Sequence, residues 1–252
     1  VDQAVDAGVG TGLAGPLGRV LRAAAPRTWF LEDEVAGLAA HVGPGDVCLD
    51  VGAEYGLYTW VLAGLVGPAG HVHAVEPQPG PSAFVDTTRR LLQAGNVSVH
   101  RTALGDAAGG GVLALPRRRL LPVHGRAFLT TGADGLGSNA EFGRHEDVPV
   151  AVTTVDDLVD ALGLRRLDFV KVDIEGAEAR LLAGARATLA AFRPVLMLEL
   201  EDRHLARFGT AVARVVADLE ADGYVARTWD VARGWVPRRP DDGRRNVLFV
   251  PR

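Results

Sequence analysis

Three short stretches of this sequence set acids, glycines and one lysine at spacings that suit ligand binding and proton chemistry. The first is Asp50-Val51-Gly52-Ala53-Glu54-Tyr55-Gly56, which follows an apolar run and leads into a helical pattern that begins with Tyr58 and Thr59. Glycines at a strand-to-helix turn let a ligand approach the backbone and place it at the helix N-terminus. The spacing is G-x-x-x-G, without the tight G-x-G of a dinucleotide fingerprint, and an acid stands before it. A carboxylate there suits a cationic amino group better than a pyrophosphate. A tight structural turn accounts for the same glycines with no ligand at all. The second stretch, Val75-Glu76-Pro77, ends the next apolar run. An acid at that place can accept both hydroxyls of an adenosine ribose, and its plain alternative is a solvated carboxylate at a loop start. One βα unit apart, the two stretches indicate an adenosine-bearing ligand with a positively charged far end. S-adenosylmethionine meets that description better than NAD.

The third stretch is Lys171-Val172-Asp173-Ile174-Glu175-Gly176-Ala177-Glu178. Strand alternation puts Lys171 and Asp173 on one face, with Asp173 at the carboxyl edge where open α/β sheets bind their ligands. Glu175 and Glu178 read as the start of the next helix, where the macrodipole favours acids. On that view Lys171 merely neutralises them. Lys171 is the only lysine among the 27 Lys and Arg residues, and three acids beside it favour a site. His204, just past Glu199-Leu200-Glu201, is a candidate to deprotonate a hydroxyl, because an unperturbed imidazole titrates near neutrality. A surface histidine is its plain alternative. Asp173, Glu199 and Glu201 can also collect a hard divalent cation, but the preferred reading needs no metal. Arg117–Arg119 can recognise a phosphate, a solvated hairpin being the simpler account, and Trp29-Phe30 can wall a substrate pocket.

The elements that must position these residues repeat as apolar run, turn, amphipathic helix. The runs are Asp46–Val51, His71–Val75, Val97–Ala103, Leu167–Ile174, Val195–Leu200, Tyr224–Trp229 and Asn246–Val250. Helical patterns fit at Tyr58–Leu65, Ser82–Ala94, Glu175–Phe192 and Phe208–Asp222, with an earlier one over Pro16–His41. Strands alternating with helices imply right-handed βαβ units and a mostly parallel sheet covered on both faces. The last two runs leave no room for a helix, so a hairpin adds one antiparallel strand, seven strands in all. Residues 1–45 read as a leader and helix, and residues 46–252 as the α/β domain. Residues 107–150 break the rhythm and read as an insertion over the mouth of the site, with Val112–Leu115 and Val148–Thr153 pairing at its base.

The composition narrows the field. The chain has 252 residues, 48% of them hydrophobic, with 27 basic against 31 acidic side chains. That is globular, and a net charge of -4 argues against bulk affinity for nucleic acid or an anionic membrane. One cysteine, Cys48, excludes an internal disulfide, and no run reaches the length of a membrane span. Val1-Asp2-Gln3 carries an acid where a signal peptide carries bases, so a cytoplasmic location is expected. The oligomeric state stays open, a homodimer included.

Over roughly residues 46–200 the sequence resembles the FkbM family of S-adenosylmethionine-dependent methyltransferases. The resemblance rests on Asp50-Val51-Gly52-Ala53, Gly56, Glu76-Pro77, Ala103-Leu104-Gly105-Asp106, Thr154-Val155-Asp156-Asp157-Leu158, the Lys171–Glu178 string, Arg193-Pro194 and Glu199. It implies a class I Rossmann-like enzyme that O-methylates a hydroxyl of a small metabolite such as a sugar, nucleoside or polyketide. By the same resemblance Asp50, Gly52 and Gly56 hold the methionine end, Glu76 the ribose, and Ala103 and Leu104 the adenine, and Asp173 lies near the transferred methyl. From their positions beside these residues, Ala53, Glu54, Thr59 and Pro77 are expected to join the cofactor site, Glu54 gripping the methionine amino group or serving the substrate, and Lys171 and His204 the catalytic set. Family members usually carry Asn where this chain has Glu54, and the insertion matches the family poorly. Methylation of nitrogen, a nicotinamide-dependent oxidoreductase and a non-catalytic adenosine binder are the rival readings.

Overall fold

A computed structural model describes residues 12–28, 31–119, 121–240 and 242–252. Trp29 and Phe30, singled out above as a pocket wall, lie outside the described residues, as does the start of the leader. Helix α1 (Ala14–Ala24) opens the described chain. Short 3-10 turns follow at Ala25–Arg27 and Asp33–Ala40, so the single helix expected over Pro16–His41 is broken. Pro26 explains the break, because it cannot donate the next helical hydrogen bond. Gly18 of α1 lies so close to α2 (Leu57–Val66) that an added Cβ would come within 2.6 Å of the Trp60 carbonyl oxygen and 3.1 Å of Gly64 Cα.

Strands β1 (Val47–Val51), β2 (His71–Val75) and β3 (Val97–His100) alternate with α2 and α3 (Pro79–Leu91). Four strands of a second sheet follow: β4 (Ala103–Leu104), β5 (Gly109–Arg118), β6 (Leu121–Pro122) and β7 (Phe128–Leu129). The fifth, β8 (His145–Thr153), precedes α4 (Val155–Ala161). The main sheet resumes with β9 (Phe169–Val172), then α5 (Glu178–Ala183), α6 (Arg186–Phe192) and β10 (Val195–Glu199). It ends with α7 (Asp202–Leu205), α8 (Val212–Ala221), β11 (Tyr224–Asp230), β12 (Gly234–Pro237) and β13 (Asn246–Pro251).

The main sheet runs β12-β11-β13-β10-β9-β1-β2-β3. From β10 to β3 every pairing is parallel, and β13 enters antiparallel between β10 and β11. This is the expected seven-stranded Rossmann-like methyltransferase sheet with one antiparallel member, and β12 adds an eighth strand at the edge. The expected hairpin between the last two runs is different in detail. Tyr224–Asp230 turns back first on Gly234–Pro237, and the final strand then slots between β11 and the core. The apolar runs place Leu49, Val170, Val172, Leu196 and Leu198 on one buried face and Cys48, Phe169 and Met197 on the other, as a sheet covered on both sides requires.

The helix expected over Glu175–Phe192 starts three residues later and is split. Glu175 (φ +58°) and Gly176 (φ +108°) lie in the left-handed region, which stops a helix from starting at Glu175. Gly184 approaches the Gly105 carbonyl so closely that a Cβ would stand 2.1 Å from its oxygen. There the chain bends into α6, whose first N–H groups donate to the Asp156 carboxylate at 2.8 and 3.1 Å.

Candidate active site

The carboxyl ends of β1, β2, β9 and β10 converge on a cavity of about 290 Å³, roofed by residues 124–129 of the second sheet's connections. Between β1 and α2 the chain turns through Gly52 (φ +79°), Glu54 (φ +46°) and Gly56 (φ +87°). Gly52 is dictated by contact as well as by φ, since a Cβ would stand 1.8 Å from the Asp173 carbonyl oxygen. Gly52 and Ala53 donate their N–H groups to Val75 O, which binds the turn to the end of β2.

Glu76 stands at that end, 2% exposed and facing the cavity. Its Oε2 accepts from the Glu54 N–H (2.9 Å) and its Oε1 from the Gln78 N–H (2.8 Å). Burial pushes its carboxyl up to about 7, against the two donors that pull it down. Ala103, Leu104, Leu113, Phe128 and Leu129 give the same end of the cavity an apolar wall.

The opposite end is dense in charge. Asp173, Glu175, Glu199 and Glu32 face it together with Arg126 and Arg245. Asp173 and Glu199 stand close together at the adjacent ends of β9 and β10, and burial with the neighbouring Asp173 charge pushes Glu199 up to about 8. Glu199 also meets Arg245 at 2.9 Å. Lys171 lies beneath them, 1% exposed, its ammonium 4.9 Å from the Tyr58 ring centroid and 3.3 Å from Asn246 Oδ1. Burial disfavours its charge, yet Asp173, Glu32, Glu199 and Asp50 together hold its pKa above the ordinary value. Tyr58 donates its hydroxyl proton to Glu32, so β9, α2 and the N-terminal segment meet in one buried network.

The roof is attached by polar contacts. Gln78 donates to the His124 carbonyl at 3.2 Å, while its Oε1 lies 2.7 Å from His124 Nδ1. Arg126 donates to Ser138 and Asn139, and Asn139 donates back to the Arg126 carbonyl at 2.7 Å.

The family model described as "Methyltransferase FkbM domain" matches residues 50–226, which covers every strand end that forms this cavity. The chain belongs to the FkbM methyltransferase family. It is 31% identical over 160 residues to 31-O-demethyl-FK506 methyltransferase FkbM from Streptomyces tacrolimicus, covering 56% of this chain and 60% of that protein. By structure it is similar to methyltransferase FkbM from Methylobacillus flagellatus KT (16% identity, 93% of this chain and 58% of that one, TM-score 0.48). It is also similar to fibrillarin of Aeropyrum pernix, solved with natively bound S-adenosyl-L-methionine (14% identity, 90% and 72% covered, TM-score 0.46). The chain thus spans about three fifths of the length of both FkbM proteins.

Of the residues singled out from the sequence, Gly52, Glu54, Glu76, Pro77, Ala103, Leu104 and Asp173 line the cavity. Asp50, Ala53, Gly56 and Thr59 do not. Asp50 is 2% exposed and accepts the Thr59 hydroxyl at 2.5 Å, under the turn rather than in the cavity. Burial pushes it up to about 6. Ala53, Gly56 and Thr59 shape the turn from behind. Lys171 supports Asp173 from below and does not line the cavity, and His204 sits behind Glu175, 5% exposed.

Of the cation site considered from the sequence, Asp173, Glu199 and Glu201 all line the cavity, where Arg245 contacts Glu199 at 2.9 Å and Glu201 at 3.1 Å and Arg203 meets Glu201 at 2.5 Å. Among the described residues no three His, Cys, Asp or Glu side chains are grouped to hold a metal ion. Sequence reading did not single out Glu32, Gln78, His124 and Arg126 as parts of the site. Glu175 counts there among the three acids of the Lys-x-Asp-x-Glu-Gly string that favour a site, but without a role of its own.

Proposed function

We propose that the chain transfers a methyl group from S-adenosylmethionine to a hydroxyl of a small molecule. The observation that carries this reading is Glu76, a buried carboxyl fixed by two backbone donors and facing the same cavity as Asp173 and Glu175. Each of its oxygens keeps a lone pair for a ribose hydroxyl. Ala103 and Leu104 offer the adenine an apolar wall. The acids at the far end suit the positive sulfonium and amino groups, so the residues present fit this cofactor. When bound, it supplies an electrophilic methyl group.

The chain's own part is positioning and proton management. Lys171 keeps the Asp173–Glu199 carboxyls close despite their burial, and Asp173 orients the acceptor or the methyl-bearing end. Residues 124–129 cover the cavity and exclude water, and holding the reacting atoms in line is where most of the acceleration arises. Calorimetry with S-adenosylhomocysteine tests the cofactor, with NAD as the control. Product analysis over a panel of hydroxylated and amine acceptors tests the acceptor atom. Binding of NAD in place of S-adenosylhomocysteine, or methylation of amines alone, sinks the reading.

A further inference from the structure

The cofactor, placed as above, spans the cavity from its Ala103 wall to Asp173, so an acceptor must lie beyond the methyl end. At that end Glu32 and Arg245 line the cavity, and both also line a second one of about 590 Å³. The two side chains therefore stand between an inner and an outer chamber. The outer chamber is walled by the two N-terminal 3-10 turns, the turn between β11 and β12, and the chain entering β13. Among the described residues, every one that lines it falls outside residues 50–226, the part that the family model matches. What this chamber accepts is thus set by the chain's own flanks and not by the shared domain.

The lining combines one aromatic platform with polar groups. Trp229 is fixed in place. Gly37 packs so closely on its ring that a Cβ would come within 2.2 Å of Cζ3, and Trp235 meets it edge-on at 5.3 Å. The charges around it are already matched. Arg244 pairs with Asp33 at 3.4 Å, the Asn246 amide donates to Glu34, and Arg245 meets Glu199 and Glu201. An ionic ligand of either sign would have to displace one of these partners or stay unpaired. Hydrogen-bonding capacity is left over, however. Arg245 makes both of its contacts through Nη1, which leaves the N–H groups of Nη2 and Nε. Glu32 accepts the Tyr58 hydroxyl on Oε2, which leaves Oε1. Donors and an acceptor beside a fixed indole suit a neutral ring that carries hydroxyls. Its C–H face can lie on the indole while its hydroxyls bond the guanidinium and the carboxylate.

We propose that the outer chamber binds the methyl acceptor, and that the acceptor carries a neutral polyhydroxylated ring such as a pyranose unit. The inference rests on the methyl-transfer reading above. Glu32 and Arg245 determine specificity, holding that ring so that one hydroxyl faces Asp173 and the methyl group. Trp229 supports the face of the ring. Val231, which lines the chamber and is 61% exposed, stands where the rest of the molecule must pass.

The test reads binding and not turnover. Saturation-transfer NMR on the full chain loaded with S-adenosylhomocysteine is run with methyl hexopyranosides, a hexose 6-phosphate and benzyl alcohol as probes. The pyranosides are expected to give signals, strongest at the ring protons of one face, and the other two probes none. Val231→Trp, which fills the chamber from an exposed position, should weaken pyranoside binding at least about tenfold. Its S-adenosylhomocysteine affinity, by calorimetry, should stay within about twofold. Glu32→Gln and Arg245→Gln, which add no bulk, should each weaken pyranoside binding at least about fivefold. Signals from the phosphate or the aromatic alcohol in place of the pyranosides overturn the assigned class. Pyranoside binding that survives Val231→Trp, or is unchanged in both glutamine variants, overturns the chamber as the acceptor site. Absence of any pyranoside signal with S-adenosylhomocysteine bound overturns this inference alone. A wild type that binds no S-adenosylhomocysteine overturns the methyl-transfer reading and this inference with it.

Discussion

The main sheet and the sheet of residues 103–153 are built on opposite principles. In the main sheet the inner strands are buried on both faces, β9 completely, and its two apolar clusters draw on nearly every strand and helix. The second sheet is antiparallel, with Gly109–Pro116 registered against His145–Val152. Its own buried cluster is small, centred on Ala103, Leu113 and Leu129. Arginines, glutamine and histidine do the rest: Gln78 with His124, Arg126 with Asn139, Arg180 with Asp106 at 2.6 Å, and Arg207 stacked 4.0 Å over Phe128. A core that excludes water is stable and holds a site still. A roof held by hydrogen bonds and charge, each of modest net value, is free to open for a ligand.

The largest expected contrast lies in core truncation. Leu198→Ala, at a fully buried position of β10, should lower global stability by about 2–5 kcal/mol, measured by urea unfolding. Leu129→Ala should act mainly on local opening, seen as faster amide exchange across residues 107–147. An equal global loss from both would mean that the two sheets unfold as one.

Next in size is the effect at the junction. Glu76→Ala should weaken S-adenosylhomocysteine binding by about 1–3 kcal/mol, the usual loss for charge-assisted hydrogen bonds, by calorimetry. An unchanged affinity would remove Glu76 from the ribose site.

Acid should separate the sheet edge from the site. His71, His73 and His100 pack together on β2 and β3, with His73 Nδ1 3.1 Å from His100 Nε2. Burial lowers all three, His73 to about 3. The unfolded chain protonates near 6.5 while the folded one resists, so their stabilisation is present above that pH and is lost as pH falls towards 3. Glu76 has the opposite sign. Raised to about 7, it stabilises below its ordinary value near 4.5 and loses that contribution as pH rises through 7. His73→Phe should flatten the acid limb between pH 6 and 4 by about one proton, or ~1.4 kcal/mol per pH unit. An unchanged slope would show that His73 is already charged in the folded state.

The smallest global effect is expected from the staple between the sheets. Gln78→Ala should cost about 0.5–1.5 kcal/mol, yet limited proteolysis near Arg117–Arg126 or Gly132–Arg144 should accelerate. S-adenosylhomocysteine should slow it. Cutting rates that match the wild type would make the roof rigid without its polar attachment.

Sequence reading reached furthest where local chemistry dominates. Apolar runs alternating with helical periods fixed the parallel sheet, because such strands must be buried on both faces. The glycine turn and Glu76 were readable because a left-handed φ and a strand-end acid both leave local marks. The Lys-x-Asp-x-Glu-Gly string located the site, but which of its acids enters the cavity was decided elsewhere. Glu178 is buried and accepts the Ile174 and Gly176 N–H groups at 3.3 and 3.1 Å, so it builds the turn. Of the two glutamates, Glu175 is the one that joins Asp173 in lining the cavity, at a turn where Gly176 packs against the His204 backbone. Asp50, next to the glycines in sequence, is drawn under the turn by Thr59. The insertion's pairing and the burial of His204 depend on contacts between residues far apart in the chain. Those contacts set desolvation, and desolvation decides which acids hold a proton and which histidine is left without one.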